Sequence, residues 1–413
     1  MMIAAAIALG LLPLLVLRGR TLASFYATML TIAAFAWLLH RRAVAIDAQL
    51  AVIAFAVLHV AVLALFLARG RNVRFSAARA MIVGAVIYAV VIPAMIEHPP
   101  DGDEPYYLLV TESLARDFDL DLRNQYAAHP EIAPQFGDPV GPNGEQYSRH
   151  EPFLSLLMVP GYLAGGVYGA LATIALFGVL LIRSTIRWME DEGIDEAAIR
   201  AVFPFFALAP PVLFYATRVW PEVPAAFFFV EALRGVRAHR AQRWIPALAG
   251  LAFLKLRFLL VVVGVLGALL FDSRAARLRR FQTQRRRLPS RRVIAIALVV
   301  VIGPLVLLAL LTGDATNVHT WRDLGLTPEP GHIRGFFGLL TDGMSGIPFR
   351  APFYLFGLFA LVRWNATPRG FRFGIAASLL YLYFLLPRPE WFGGWAPPLR
   401  YLVFLMPVLA LGA

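Results

Sequence analysis

Apolar blocks of about 15–25 residues recur along the whole chain, and this repetition constrains the fold more than any other feature. A block of that length crosses the hydrocarbon core of a bilayer as a helix, in which each backbone N–H and C=O finds its partner within the segment. Arginine-bearing breaks separate the blocks. Of 413 residues, 59% are apolar and 15% charged. A soluble domain of this size needs far more charge to cover its surface. The predicted fold is therefore all-α, a polytopic transmembrane helix bundle of about 11–13 helices. The net charge of +12 does not imply a nucleic-acid partner. Lys255 is the sole lysine, and the arginines lie between apolar blocks, as in loops that set membrane topology. Cysteine is absent, which excludes disulfides and thiolate metal sites.

Charge order fixes the expected direction of each crossing. The first block, residues 3–17, has no basic segment before it and is followed by Arg18 and Arg20. A cleaved signal peptide has the reverse order, so a short first helix with an outside N-terminus is expected. Blocks 21–39, 44–68 and 78–96 follow, and Arg69, Arg71, Arg74 and Arg79 precede the last of them. The positive-inside rule assigns that cluster to the cytoplasm and sends residues 97–151 outside. The loop 97–151 carries 12 acidic residues against three basic ones, Arg116, Arg123 and Arg149. Beyond it, 167–182 runs inward, 201–217 outward and 223–233 inward. Blocks 245–254 and 258–271 form a short pair hinged at Lys255 and Arg257. The nine arginines of 274–292 are cytoplasmic in this scheme. Block 293–311 leads to a second outer loop, 312–350, and three further crossings close the chain. Arg41 and Arg42 fall outside, against the rule. The expected division is N-terminal helices 1–96, a catalytic outer loop 97–151 carrying short helices, and a helical core 152–413. Several blocks, among them 152–165 and 245–254, are short and broken by Pro or Gly, which predicts a polar cavity near the outer surface.

The outer loop opens Glu97-His98-Pro99-Pro100-Asp101-Gly102-Asp103-Glu104-Pro105-Tyr106-Tyr107. One reading is a helix start, with Asp101 or Asp103 as the cap and Pro105 in the first turn. A calcium-binding acidic loop is another. A third is catalysis of glycosyl transfer. An acceptor hydroxyl is a weak nucleophile, and a carboxylate within hydrogen-bond reach removes its proton as attack proceeds. A second carboxylate can hold the acceptor or a metal, or raise the proton affinity of the first. Negative charge also favours an oxocarbenium-like transition state. Nucleotide sugars are not found outside the membrane, so the donor is expected to be a polyprenyl-phosphate sugar. Its leaving phosphate needs fixed cations from Arg, Lys or a divalent cation.

Asp103-Glu104 just past a membrane helix, followed by aromatics, resembles the first-loop motif of the GT-C glycosyltransferases. Protein O-mannosyltransferases and lipid A aminoarabinose transferases belong to that superfamily. Asp119-Leu120-Asp121-Leu122-Arg123-Asn124-Gln125-Tyr126 is similar to its "DLDL-N-Y" segment. Tyr147-Ser148-Arg149-His150-Glu151-Pro152 resembles "YS-HPPG", with Glu151-Pro152 in place of Pro-Gly, and enters a "PLL-P-Y-GG" helix over 154–166. Trp220-Pro221-Glu222-Val223-Pro224, Phe337-Gly338-Leu339-Leu340 with Ala351-Pro352-Phe353-Tyr354, and Gly393-Gly394 with Arg400-Tyr401 resemble three later motifs. The resemblance covers about residues 95–413. A soluble C-terminal carbohydrate-binding module, present in some relatives, is not expected.

The resemblance implies an inverting transferase in the plasma or inner membrane, acting at its outer side on a glycan, lipid or protein acceptor. It implies Asp103 as general base with Glu104 and Asp101 as helpers. Arg400, Lys255, Arg257, His150 and Arg149 are candidates for donor binding, and Glu222 either joins the acidic cluster or pairs with Arg218. For Arg400 the alternative is a snorkelling anchor. Trp391, Trp395 and Trp321 stack on sugar or belong to an aromatic belt. Asn365-Ala366-Thr367 fits a glycosylation sequon but is expected on the cytoplasmic side. Two other classes stay open: a transporter or flippase of lipid-linked sugars, which often shows two similar halves not found here, and a polysaccharide polymerase or ligase.

Overall fold

The computed structural model describes residues 75–96, 100–135, 138–279 and 334–413, positions 387, 389 and 395 excepted, with isolated residues between 299 and 306. The expected helices before residue 74, the arginine stretch from 280 on, most of loop 312–350, Trp321 and Trp395 lie outside the described residues.

Among the described residues every element is helical, and the sole extended pairing is one bridge between Val140 and Gln146. Helix α1 spans Ala77–Ile96, and the following loop carries α2, Glu104–Arg116, and α3, Arg123–Ala128. Pro105 stands in the first turn of α2, where a missing N–H costs nothing. The Glu104 carboxylate reaches back to accept from the Asp101 N–H at 3.2 Å, which fastens the turn that precedes α2.

Helix α4 spans Phe153–Asp191 but departs from helical backbone at Gly165 and Gly166. Gly166 has φ 56°, open to glycine at little cost. A Cβ on Gly161 would stand 2.3 Å from the Gly169 carbonyl oxygen, so the bend brings backbone against backbone. The break falls between the two apolar blocks expected here. Next come α5, Glu196–Ala207, and α6, Val212–Tyr215, then α7, Glu222–Arg237, and α8, Ala241–Leu254. Asp195 caps α5, accepting from the Ala198 N–H at 2.9 Å. The block expected over 201–217 is thus divided, because the Pro210-Pro211 pair ends one helix before the next begins. A 3-10 turn, Leu256–Phe258, joins α8 to α9, Leu259–Arg279.

After residue 334 follow α10, Arg334–Thr341, α11, Ile347–Arg350, α12, Tyr354–Phe359, α13, Arg369–Leu385, and α14, Met406–Gly412. A 3-10 turn, Arg400–Leu405, leads into α14. Helix α4 is the one described helix long and apolar enough to cross a membrane by length and composition. Shorter apolar helices cover Ala77–Pro93, Leu256–Leu269 and Arg400–Gly412.

Helix α7 is central: it packs on α4, on α8 and on the 3-10 turn at Arg400. Helices α1 and α2 also lie on α4, α9 lies on α13, and α12 on α14. Aromatic side chains fill the interior, with Tyr88, Tyr107, Trp188, Tyr215, Trp220 and Tyr381 fully buried. Their polar tips are tied where a carbonyl is near: Tyr88 donates to Ala207 O at 2.8 Å and Tyr215 donates to Pro397 O. This packing brings the starts of α2, α7 and the two 3-10 turns to one place. On the outside, Phe336, Phe337, Met344, Phe349, Phe356, Phe359 and Val362 are exposed.

Candidate active site

Asp103 occupies the N-cap position of α2, yet its side chain makes no cap hydrogen bond. Its carboxylate faces cations from distant parts of the chain instead. Arg400 Nη2 donates to Asp103 Oδ2 at 2.5 Å, and Lys255 Nζ stands 3.3 Å from the same oxygen. His150 Nε2 lies 4.0 Å from Oδ1. The Arg400 Nε donates to Glu222 Oε1 at 2.8 Å, and Arg257 Nη2 donates to that same oxygen. The result is a continuous string: Lys255, Asp103, Arg400, Glu222, Arg257.

Local structure explains how these groups are held. Lys255 has an extended backbone, φ −163° and ψ 136°, which ends α8 and turns its side chain away from the helix axis. The Leu256 N–H beside it donates to the buried Glu151 Oε1 at 2.8 Å, which pins the turn to the end of the loop. Arg400 follows Leu399, whose φ of 67° lies in the left-handed region and marks backbone strain at the site. The Arg400 guanidinium lies 4.1 Å from the Trp220 ring centre, and that of Arg257 lies 5.0 Å from Tyr401. Lys255 Nζ is 5.9 Å from the Tyr107 ring, which also packs on the His150 ring at 5.1 Å. Cation–π contact of this kind strengthens when desolvated. Glu222, Lys255, Arg257 and Arg400 are all buried. Three cations face two carboxylates, so the string carries one unit of positive charge, His150 aside.

Burial would raise the Asp103 pKa, but the charges of Arg400, Lys255 and His150 outweigh it and hold the carboxyl well below the usual range. Glu104 behaves oppositely. Burial pushes its carboxyl up, and Arg218 offsets this only in part.

Glu104 is otherwise engaged. Arg218 Nε donates to it at 2.9 Å and the Val219 N–H at 2.7 Å. The expected alternative of a Glu222–Arg218 pair is thereby corrected: Arg218 pairs with Glu104, and Glu222 with Arg257 and Arg400. Asp101 is exposed and accepts from the Gly102 N–H at 2.7 Å, shaping the turn before α2. Arg149 Nε donates to Asp138 at 2.8 Å and braces the loop. Of the nine candidates, Asp103, His150, Lys255, Arg257, Arg400 and Glu222 come together. Glu104 follows Asp103 directly but faces Arg218, while Asp101 and Arg149 hold loop contacts. Trp391 is buried.

Sequence reasoning missed Glu151, Trp220, Tyr107 and Tyr401 as site-builders. Glu151 carried a signal, since a carboxylate next to a long apolar segment is costly to bury unless it has a partner. Among the described residues no group of three or more His, Asp or Glu gathers as a ligand set for a metal ion. An ionised carboxylate facing buried cations can accept a proton once those cations are engaged elsewhere, and the cations suit a phosphate. No protein-family model, curated protein or solved structure matches this chain.

Proposed function

We propose that the chain is a polytopic membrane enzyme of the GT-C type. It transfers a sugar from a polyprenyl-phosphate donor to a cell-envelope acceptor at the outer face of the plasma or inner membrane. The observation that carries the proposal is the meeting of Asp103 with Lys255 and Arg400, residues 152 and 297 positions further along the chain. Merely capping α2 would require no such meeting.

In this reading Arg400, Lys255 and Arg257 hold the donor phosphate and stabilise it as it leaves. Asp103 takes the proton of the acceptor hydroxyl as that oxygen attacks the anomeric carbon from the face opposite the phosphate. One displacement inverts the configuration. Glu222 orients Arg400 and Arg257, and His150 flanks Asp103.

Membrane insertion is supported by α4 and by the exposed apolar side chains from Phe336 to Val362, which water would penalise. Orientation is supported by α7. Glu222 begins it, and twelve residues on, about 18 Å away at the helical rise, stands Arg234. There Arg234, Arg237 and Arg243 pair with Asp191, Glu192 and Glu231. An arginine-rich end fits the cytoplasmic face. That distance is short of the hydrocarbon thickness of about 30 Å, so the site would sit recessed below the outer surface.

The test is sugar transfer in membranes with and without the chain, using radiolabelled polyprenyl-phosphate sugars. The expected result is chain-dependent transfer, with lipid-linked sugar accumulating in a deletion strain. Absence of both would sink the proposal.

A further inference from the structure

The cations that would hold the donor phosphate already hold a carboxylate. Asp103 Oδ2 takes Arg400 Nη2 at 2.5 Å and Lys255 Nζ at 3.3 Å. Its N-cap position would let the side chain bond to its own helix, but the side chain makes no cap hydrogen bond. Glu222 uses a different edge of Arg400, the Nε, and also holds Arg257. Arg400 can therefore exchange one anion at Nη2 while staying anchored through Nε and stacked on Trp220. Two further buried donors at this place, Arg257 Nε and Trp220 Nε1, have no hydrogen-bond partner among the described residues. Buried donors are rarely left so, and an added anion would satisfy them.

We infer that Asp103 is a place-holder for the donor phosphate: the phosphate takes over Arg400 Nη2 and Lys255 Nζ, and only then is Asp103 released toward the acceptor. The inference rests on the glycosyl-transfer reading and adds an order of events to it. Without donor, Asp103 is bound to cations and makes a poor base. With donor bound, the same cations face the phosphate and Asp103 recovers its proton affinity. In the reaction the acceptor oxygen bonds to the anomeric carbon, the bond from that carbon to the phosphate oxygen breaks, and its electron pair leaves with the lipid phosphate. The acceptor proton passes to Asp103. The donor is a phosphodiester with one negative charge, whereas the product is a monoester that can carry nearly two. Asp103, whose side chain is partly exposed, then passes its proton to water, and the restored carboxylate competes with this product and helps to expel it.

The exchange predicts a sign that a structural ion pair does not. In the full chain in lipid nanodiscs, Asp103→Asn should bind polyprenyl monophosphate about tenfold or more tightly than the parent, the effect of an interaction of about 1.4 kcal/mol. Polyprenol, which has the tail and no phosphate, should bind both equally. Inorganic phosphate should compete with the lipid at lower concentration in Asp103→Asn, which separates headgroup from tail. Asp103→Ser removes the same charge and serves if the Asn variant does not fold. Equal or weaker lipid-phosphate binding in the variant, with the parent binding well, overturns the place-holder and leaves the transferase reading standing. A parent chain with no phosphate-dependent binding overturns both.

Discussion

Removing Arg218 separates the architectural role of Glu104 from a catalytic one. Glu104 is 2% exposed, and the Arg218 guanidinium is the charge that most offsets the cost of burying it. Arg218→Met leaves the carboxylate, among the described residues, with the N–H groups of Val219 and Asp101. Breaking a buried ion pair from one side typically costs about 3–5 kcal/mol, because the remaining charge stays desolvated. At about 2 °C per kcal/mol for a chain of this size, the thermal midpoint in detergent should fall by roughly 6–10 °C. Glu104→Gln in the Arg218→Met background removes that charge and keeps an acceptor for Val219, so most of the loss should return.

The same pair predicts a pH dependence. The folded Glu104 pKa is raised above the ordinary value of 4.5, because burial disfavours its charge, so the fold holds the proton more tightly than the unfolded chain does. Stability from this group is fully present below the unfolded pKa and is lost as pH rises through the folded one. Arg218 lowers the folded value, so removing it raises that value further and widens the window of loss. Thermal midpoints of Arg218→Met should therefore approach those of the parent in acid and diverge toward neutral pH. A variant as stable as the parent at neutral pH would refute the anchor and return Glu104 to candidacy as a proton acceptor.

Asp103→Asn loses no helix cap, and Arg400 keeps Glu222, so the variant should fold while sugar transfer drops by about a hundredfold or more; near-normal transfer removes the base assignment. Arg400→Lys keeps the charge but loses the two-edged contact with Asp103 and Glu222 and the planar stacking on Trp220, so lipid-phosphate affinity should recover only in part relative to Arg400→Ala. Equal affinity in parent and both variants would make Arg400 a membrane anchor. Lys255→Arg should lower transfer about tenfold or more despite conserving charge, and full activity would show that charge alone suffices there. Cysteines introduced at Asn124 and Gln284 should label from outside and from inside respectively with an impermeant thiol reagent, in a chain with no native cysteine; the opposite pattern would place Asp103 among nucleotide sugars and end the proposed mechanism.

What could be read from the sequence was set by interruption and charge. The break at Gly165–Gly166 and the turn at Lys255 to Arg257 stood out because glycine and charge are costly inside an apolar helix. Alternating direction brought Asp103, Lys255 and Arg400 to one side, but could not say which anion meets which cation. The Glu222–Arg218 pair failed for a definite reason. Nearness in sequence does not make a contact here: α7 begins at Glu222 with Pro221 as its N-cap, and Arg218, outside the helix, meets Glu104 instead. Block lengths misled for a related reason. Mean apolarity stays high across Pro210-Pro211, where the helix ends.

The one lysine in a chain whose other basic residues are arginine lies at this site. Arginine suits a fixed structural contact, and Arg400 shows it: a planar group clamped by Glu222 on one edge and resting on Trp220. Lys255 has a compact charge with three rotatable donors on a flexible stem. It can turn from a carboxylate to a phosphate without moving its backbone, which Glu151 holds through Leu256. The longer, flat guanidinium in its place would have to fit between Asp103 and the face of Tyr107, 5.9 Å from the ammonium. A site that exchanges one anion for another needs an anchored cation to keep its shape and a mobile one to follow the charge. In the proposed exchange Arg400 and Lys255 would divide those tasks on the same oxygen of Asp103.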